Sequence, residues 1–337
     1  MKILIIKLGA IGDVIRTTSI LAGLKDKHRE CTIEWVTKKE SFDALKNDGY
    51  IKKIYLIGNV KNELNDKSYD LVICLDDEHA ACELASNAGS KKIIGAYLDN
   101  GERSYTKDSA TWFDMGLLSR FGKQKADELK AKNKKSYQEI MYEILGLEYE
   151  KQEPILILNK KELDFGRKFA LKNKIKKNDL VIGINTGAGG RWEDKKLSIE
   201  KTAELIDKLN FELRNRNAKI ILFGGPEEAE RNEKIKNLVK TSIIDAGCNN
   251  SLMEFASLVN LCNILVASDS LALHIGVALK KKIVCFFCPT SANEIELYNR
   301  GIKILPKVGC LCCYKPKCSI PPVYDVDEIV DGVKSLI

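Results

Sequence analysis

Short aliphatic runs separated by amphipathic stretches recur along the whole chain. Runs at 3–7, 32–36, 54–57, 71–75 and 92–96 in the first half, and at 181–185, 219–223, 242–245, 264–267 and 283–287 in the second, are rich in Ile, Val and Leu. Near-continuous apolar strands of this kind belong to parallel sheets covered by helices on both faces, whereas a strand with one wet face alternates. Between the runs, Val14, Ile15, Thr18, Leu21 and Leu24 fall on one helical face, and 137–145 reads as a helix stopped at Gly146. A basic amphipathic helix over 162–174 opens the second half. The pattern weakens over 101–135, where irregular structure or short helices around 112–115 are expected. Strand and helix thus alternate in both halves, which predicts an α/β fold with crossover helices. No short internal repeat is present.

A chain of 337 residues is too long for one ordinary domain. The polar stretch 148–154 sets the expected division: a first domain over 1–152, a second over 153–322, and a closing helix in 323–337 that packs back on the first. The composition, 45% apolar and 30% charged, is that of a soluble protein. No run approaches the roughly 20 apolar residues of a membrane span, and the opening residues read as a buried strand in place of a leader. A net charge of +7 biases only weakly towards anionic partners and gives no case for nucleic acid. Lys123, Lys125, Lys130, Lys132, Lys134 and Lys135, interrupted by Asp127 and Glu128, read as a solvated helix face or mobile loop ahead of an anionic membrane or acceptor surface. Cys31, Cys74, Cys248, Cys262 and Cys285 lie in apolar runs, as buried free thiols of a reducing compartment do.

Two stretches follow apolar runs as strand–turn–helix junctions: Asn185-Thr186-Gly187-Ala188-Gly189-Gly190-Arg191-Trp192 and Ser268-Asp269-Ser270-Leu271-Ala272-Leu273-His274. Backbone N–H groups and a helix N-terminus at such junctions hold phosphate. With a third turn at Gly9-Ala10-Ile11-Gly12-Asp13, they suggest two α/β domains around a cleft, the layout of a nucleotide-sugar transferase. Asp13 is read either as a helix cap or as a general base taking the proton of an acceptor hydroxyl. Lys195 or Lys196 would neutralise a diphosphate leaving group in place of a metal ion. Asp269 and Ser270 are caps or donor ligands, and Glu227 and Glu228 are first-turn acids or ribose ligands. Asp76-Asp77-Glu78-His79 is a weak metal alternative, since neighbouring side chains at a strand end diverge. Cys310, Cys313 and Cys318 have metal-like spacing, with Cys285 and Cys288 upstream, but the last two end a buried strand. Free or redox-active thiols are preferred there to zinc or an iron–sulfur centre, and no metal site is expected.

In their order along the chain, Lys7-Leu8-Gly9-Ala10-Ile11-Gly12-Asp13, Gly187 to Trp192 with Lys195, Phe223-Gly224-Gly225-Pro226, Ser268 to His274 and Phe287-Cys288-Pro289-Thr290 resemble family 9 glycosyltransferases, the heptosyltransferases of lipopolysaccharide core assembly and their relatives. The resemblance implies a GT-B fold, two Rossmann-like domains with parallel sheets facing across a cleft. It also implies inverting, metal-independent transfer from ADP-heptose to a lipid-linked glycan acceptor, with no cofactor. By the same resemblance Asp13 is the base and Lys195 steadies the diphosphate. Thr186, Gly189, Gly190, Arg191, Gly225, Glu228, Asp269, Ser270, Leu271 and His274 would bind the donor, and Lys7, Gly12 and Arg16 the acceptor. Such an enzyme would work in the cytoplasm, with peripheral contact at the inner membrane. The chain departs from the family where Leu271 replaces a common Gly, where Cys288 replaces Gly before Pro-Thr, and where Ile320 to Tyr324 stands in place of a further Cys. The alternatives are a transferase or epimerase for a different nucleotide sugar, or a binding protein without catalysis, against which the presence of Asp13 and Lys195 argues.

Overall fold

The computed structural model describes residues 1–64, 67–190, 193–307, 311–315 and 317–337. It divides into two compact units, Met1–Ile157 with Asn293–Glu296, and Leu158–Ala292 with Leu297–Ile337.

The first unit holds β1 (Lys2–Ile6), β2 (Thr32–Thr37), β3 (Ile51–Leu56), β4 (Leu71–Cys74), β5 (Ile93–Asp99) and β6 (Glu102–Tyr105) in the order β3-β2-β1-β4-β5-β6. All neighbours are parallel except β5 and β6. Central β1 explains its own composition: Ile3 and Ile5 enter one core cluster with Trp35, Leu21 and Tyr142, while Leu4 and Ile6 enter the other with Val36, Val72 and Tyr55. Neither face of the strand meets water, so neither alternates.

Gly95 is required where β5 passes β4. Its φ is 109°, and a Cβ there would lie 1.9 Å from the Cys74 carbonyl oxygen. The expected single helix after β1 is two, Ile11–Thr17 and Ile20–Lys27. The hydroxyls of Thr18 and Ser19 bond back to the carbonyls of Ile15 and Arg16, a local competition that interrupts helices. Strand β6 was not expected; Asn100-Gly101, both at positive φ, makes the tight hairpin that pairs it with β5. The 101–135 segment also contains an 11-residue helix, Gly122–Lys132, with Ala126 as its buried residue.

The second unit holds β7 (Leu180–Asn185), β8 (Ala218–Phe223), β9 (Ile244–Asp245), β10 (Ile264–Ser268), β11 (Lys282–Phe286) and β12 (Gly301–Ile304), all parallel, in the order β12-β11-β10-β7-β8-β9. Counted from its own first strand, each unit has the order 3-2-1-4-5-6, the Rossmann arrangement. The α/β class and the pair of Rossmann-like units expected from the chain are both present.

The closing helix Val326–Ser335 belongs to the second unit. Its Ile329, Val330 and Val333 are buried with Val284 of β11 and with Ile206 and Leu209 of the helix Ile199–Glu212. It therefore completes the second unit's own core. Among the described residues no helix is long and apolar enough to cross a membrane.

Candidate functional site

In open α/β sheets ligands bind beyond the carboxyl ends of the strands, where the strand order reverses. In the second unit that point lies between β7 and β10. Asn185 ends β7, and its side-chain amide donates to the Gly187 carbonyl at 2.7 Å, which holds the following turn in shape. Gly189 sits at φ 73°. A Cβ on Gly187 would lie 2.7 Å from the Glu228 carboxylate, so a larger residue there would have to displace that side chain.

Lys195 ends the short helical turn after this loop and is 7% exposed. Its ammonium donates to the Asp269 carboxylate at 2.9 Å and to the Asp269 backbone oxygen at 3.0 Å. Thr290, just beyond β11, donates its hydroxyl to the same carboxylate oxygen at 2.6 Å, and His274 Nε2 lies 3.8 Å from the other oxygen. Burial works against the charged form of Asp269. The charges of Lys195 and His274 and the bonds from Thr290 and Lys195 outweigh it, and hold the carboxyl well below its ordinary value. The ends of three adjacent strands, β7, β10 and β11, thus share one charged cluster.

Ser270 caps the helix Leu271–Ala278 without a side-chain capping bond. Its hydroxyl donates instead to the Ser268 carbonyl at 3.1 Å. The first N–H groups of that helix are therefore not satisfied by a cap, and an anion beside them would gain both hydrogen bonds and the helix dipole. Leu271 and His274 are half-buried in its first turn.

Other expected donor residues are turned inward. The Thr186 hydroxyl lies between Asn232 Oδ1 and the Phe223 carbonyl, at 2.6 and 3.1 Å. Glu228 is buried; its Oε2 accepts from the Gly225 N–H at 3.0 Å and its Oε1 lies 3.3 Å from the Lys196 ammonium. Gly190 lies against Glu227. Arg191 falls outside the described residues.

In the first unit the turn after β1 is already filled. Asp76, at the end of neighbouring β4, accepts from the Leu8 and Gly9 N–H groups at 2.8 Å each, and from the Lys7 ammonium at 3.3 Å. These are the N–H groups that would face a phosphate in a nucleotide-binding Rossmann turn; here an internal carboxylate takes them. Burial opposes the charge on both Asp76 and Lys7. For Asp76, Lys7 and the two N–H groups win and lower its value; for Lys7, Asp76, then Asp13 and Tyr137, raise it. Lys7 also donates to the Leu75 carbonyl at 2.9 Å, so its ammonium is committed to this turn.

Asp13 lies in the first turn of the helix Ile11–Thr17, whose N-cap is Ala10; the capping reading of Asp13 does not hold. Its side chain is 33% exposed and pairs with the Arg16 guanidinium at 2.8 Å. That guanidinium sits 3.9 Å from the centroid of Tyr137 and 3.9 Å from Glu294, a placement that fixes it beside the carboxylate. Gly12 is buried in the same helix.

Sequence reasoning missed the parts played by Thr290 and Asp76. Both stand at carboxyl ends of strands next to the switch strand, Thr290 after β11 and Asp76 after β4, and that position was the available signal. The acidic run beginning at Asp76 is not gathered on a metal: Asp76 serves the turn, and Glu78 pairs with Lys38 at 2.5 Å. Among the described residues no three His, Cys, Asp or Glu side chains are arranged to hold a metal ion. Cys288 Sγ and Cys313 Sγ lie 3.5 and 4.0 Å from Cys318 Sγ, while Cys310 falls outside the described residues.

Comparison with known proteins agrees with this layout. Lipooligosaccharide heptosyltransferase 2 of Campylobacter jejuni subsp. jejuni serotype O:6 is 26% identical over 177 residues, 47% of this chain and 50% of that protein. The chain thus spans about half the length of that relative. The glycosyltransferase family 9 structure from Veillonella parvula DSM 2008 superposes with a TM-score of 0.77 at 18% identity, covering 99% of this chain and 96% of that one. The E. coli ADP-heptose lipopolysaccharide heptosyltransferase II does so with a TM-score of 0.66 at 17% identity, covering 100% and 98%. At such identities the two structures speak for the fold alone. The model of glycosyltransferase family 9 (heptosyltransferase) matches residues 57–323, most of the sequence, and the chain belongs to that family.

Proposed function

We propose that this protein is an inverting, metal-independent glycosyltransferase that moves heptose from ADP-heptose to a lipopolysaccharide-core or related lipid-linked glycan, in the cytoplasm. The observation that carries the reading is the cluster of Lys195, Asp269, Thr290 and His274 beside the uncapped start of the helix Leu271–Ala278. It supplies a buried cation and free helix N–H groups where a leaving diphosphate needs positive charge, the work a metal ion does in other sugar-nucleotide enzymes. The heptosyl likeness rests on the family and on relatives named for heptose transfer.

The donor is assigned to the second unit and the acceptor to the first. Asp13 takes the proton of the acceptor hydroxyl as that oxygen bonds to the anomeric carbon. The bond from that carbon to the diphosphate breaks on the opposite side, which inverts the centre, and ADP leaves against Lys195 and the helix start at Ser270. Arg16 holds the Asp13 carboxylate through their 2.8 Å contact.

The test is a titration of the protein with ADP, UDP, GDP and CDP, with and without magnesium, alongside Lys195→Ala. Selective ADP binding, indifferent to magnesium and weakened in the variant, is expected. Preference for another nucleotide would change the donor, and absence of nucleotide binding would overturn the reading.

A further inference from the structure

The segment between the helices Ala110–Phe113 and Gly122–Lys132 exposes two large apolar side chains, Leu117 at 86% and Phe121 at 54%. The helix that follows buries Ala126 and is otherwise turned largely to solvent. Residues 116–135 carry Arg120 and six lysines against Asp127 and Glu128, a surplus of +5 within a chain whose net charge is +7. Arg120, Lys123, Lys125, Lys132 and Lys134 are exposed. Lys123 and Lys125 pair with Asp127 and Glu128, Arg120 with Asp114 and Lys135 with Glu143, but exposed pairs are weak, and a denser negative surface competes for these cations.

A single exposed leucine needs no explanation. What needs one is the coincidence of two apolar tips with most of the chain's positive surplus on one poorly buried segment. Arg120 binds the two features together, its guanidinium 5.1 Å from the Phe121 centroid. A soluble anionic glycan would use the charge and leave Leu117 and Phe121 in water. The surface of an anionic bilayer uses both, taking the apolar tips at the acyl boundary and the cations among the headgroups, and stable attachment takes two such signals together.

We propose that Leu117, Phe121 and the basic face of the helix Gly122–Lys132 dock the first unit on an anionic phospholipid bilayer. The proposal deepens the reading of a lipid-linked acceptor given above, by naming the surface that brings the protein to it.

The test is co-sedimentation of the whole protein with phosphatidylcholine vesicles, with and without phosphatidylglycerol. Two variants accompany it, Lys123→Glu/Lys125→Glu and Leu117→Ser/Phe121→Ser, and ADP binding is measured for each. Binding to the anionic vesicles that weakens with salt is expected, with a loss on the order of tenfold in each variant. Retained ADP binding shows that the variants fold, and it reports on the donor reading separately. No vesicle binding, equal binding to neutral and anionic vesicles, or variants that bind as well as the parent would overturn the proposal. So would loss in the basic variant alone, which a soluble anionic glycan explains, or a change in self-association in place of vesicle binding.

Discussion

The Lys195 ammonium meets Asp269 twice, at the carboxylate and at the backbone oxygen, 2.9 and 3.0 Å away. A buried ammonium so held cannot swing into solvent, and it lies against the residue that precedes the helix start at Ser270. Breaking a buried ion pair from one side leaves the other charge unpaired and costs about 3–5 kcal/mol. Lys195→Met should therefore lower the melting temperature and weaken ADP binding together. The double variant Lys195→Met/Asp269→Asn should regain much of the stability and none of the ADP affinity. Thermal melts with ADP titration check this; recovery of both properties would mean that the lysine serves only the pair.

Acid should act through the same carboxylate. Asp269 and Asp76 are both held below their ordinary values, against burial, by neighbouring cations and hydrogen bonds. Such a group adds stability in full above its unfolded-chain value, about 3.9. That stability is lost as the pH falls from there through the lower folded value. The drop in melting temperature between about pH 6 and about pH 3 should be smaller in Asp269→Asn than in the parent. An equal drop would show that the carboxylate contributes no stability on titration.

Asp76→Ala would strip the Leu8 and Gly9 N–H groups and the Lys7 ammonium of their shared acceptor. Unsatisfied buried groups of this kind cost about 1–3 kcal/mol each, more for the charge. The first unit should be destabilised and the turn leading to Asp13 disordered, so glycosyl transfer should fall steeply. ADP binding by the second unit should stay within about threefold, a free-energy change below 1 kcal/mol. Loss of ADP binding at a temperature where the protein remains folded would place the nucleotide in the wrong unit.

The central strands were legible because they are buried on both faces, whereas the edge strands β6 and β12 were not. Ile3, Leu4, Ile5 and Ile6 all sit at 0% exposure. Pairing partners and hydroxyl chemistry were not legible. Thr18 and Ser19 break a helix whose apolar face runs straight through them, because their side chains bond to the preceding turn. Strand β6 is polar, Glu102-Arg103-Ser104-Tyr105, and is an edge strand fixed by the Asn100-Gly101 turn. At the site, Lys195 and Asp269 could be picked out by their place after apolar runs. That they touch across 74 positions depends on β7 and β10 being neighbours, which strand order alone decides. The need for glycine at Gly95 is equally a matter of tertiary approach. Gly95→Ala, with its Cβ driven against the Cys74 carbonyl, should cost on the order of 3–5 kcal/mol and yield little folded protein by thermal melt.

Asp13 separates base chemistry from binding. It stands 33% exposed, paired with Arg16, in a unit that is not assigned the nucleotide. Replacing a general base costs about a hundred- to ten-thousandfold in rate, and Asp13→Asn keeps the shape of the side chain while removing the base. Transfer from ADP-heptose to a lipopolysaccharide-core acceptor should fall by that factor, with the ADP dissociation constant unchanged. Stability should change little, because Asp13 is not the N-cap of the helix and the Asp13–Arg16 pair is partly solvated. Single-turnover transfer with saturating donor is the measurement. A variant that transfers normally once donor is saturating would assign Asp13 to binding and leave the reaction without this base.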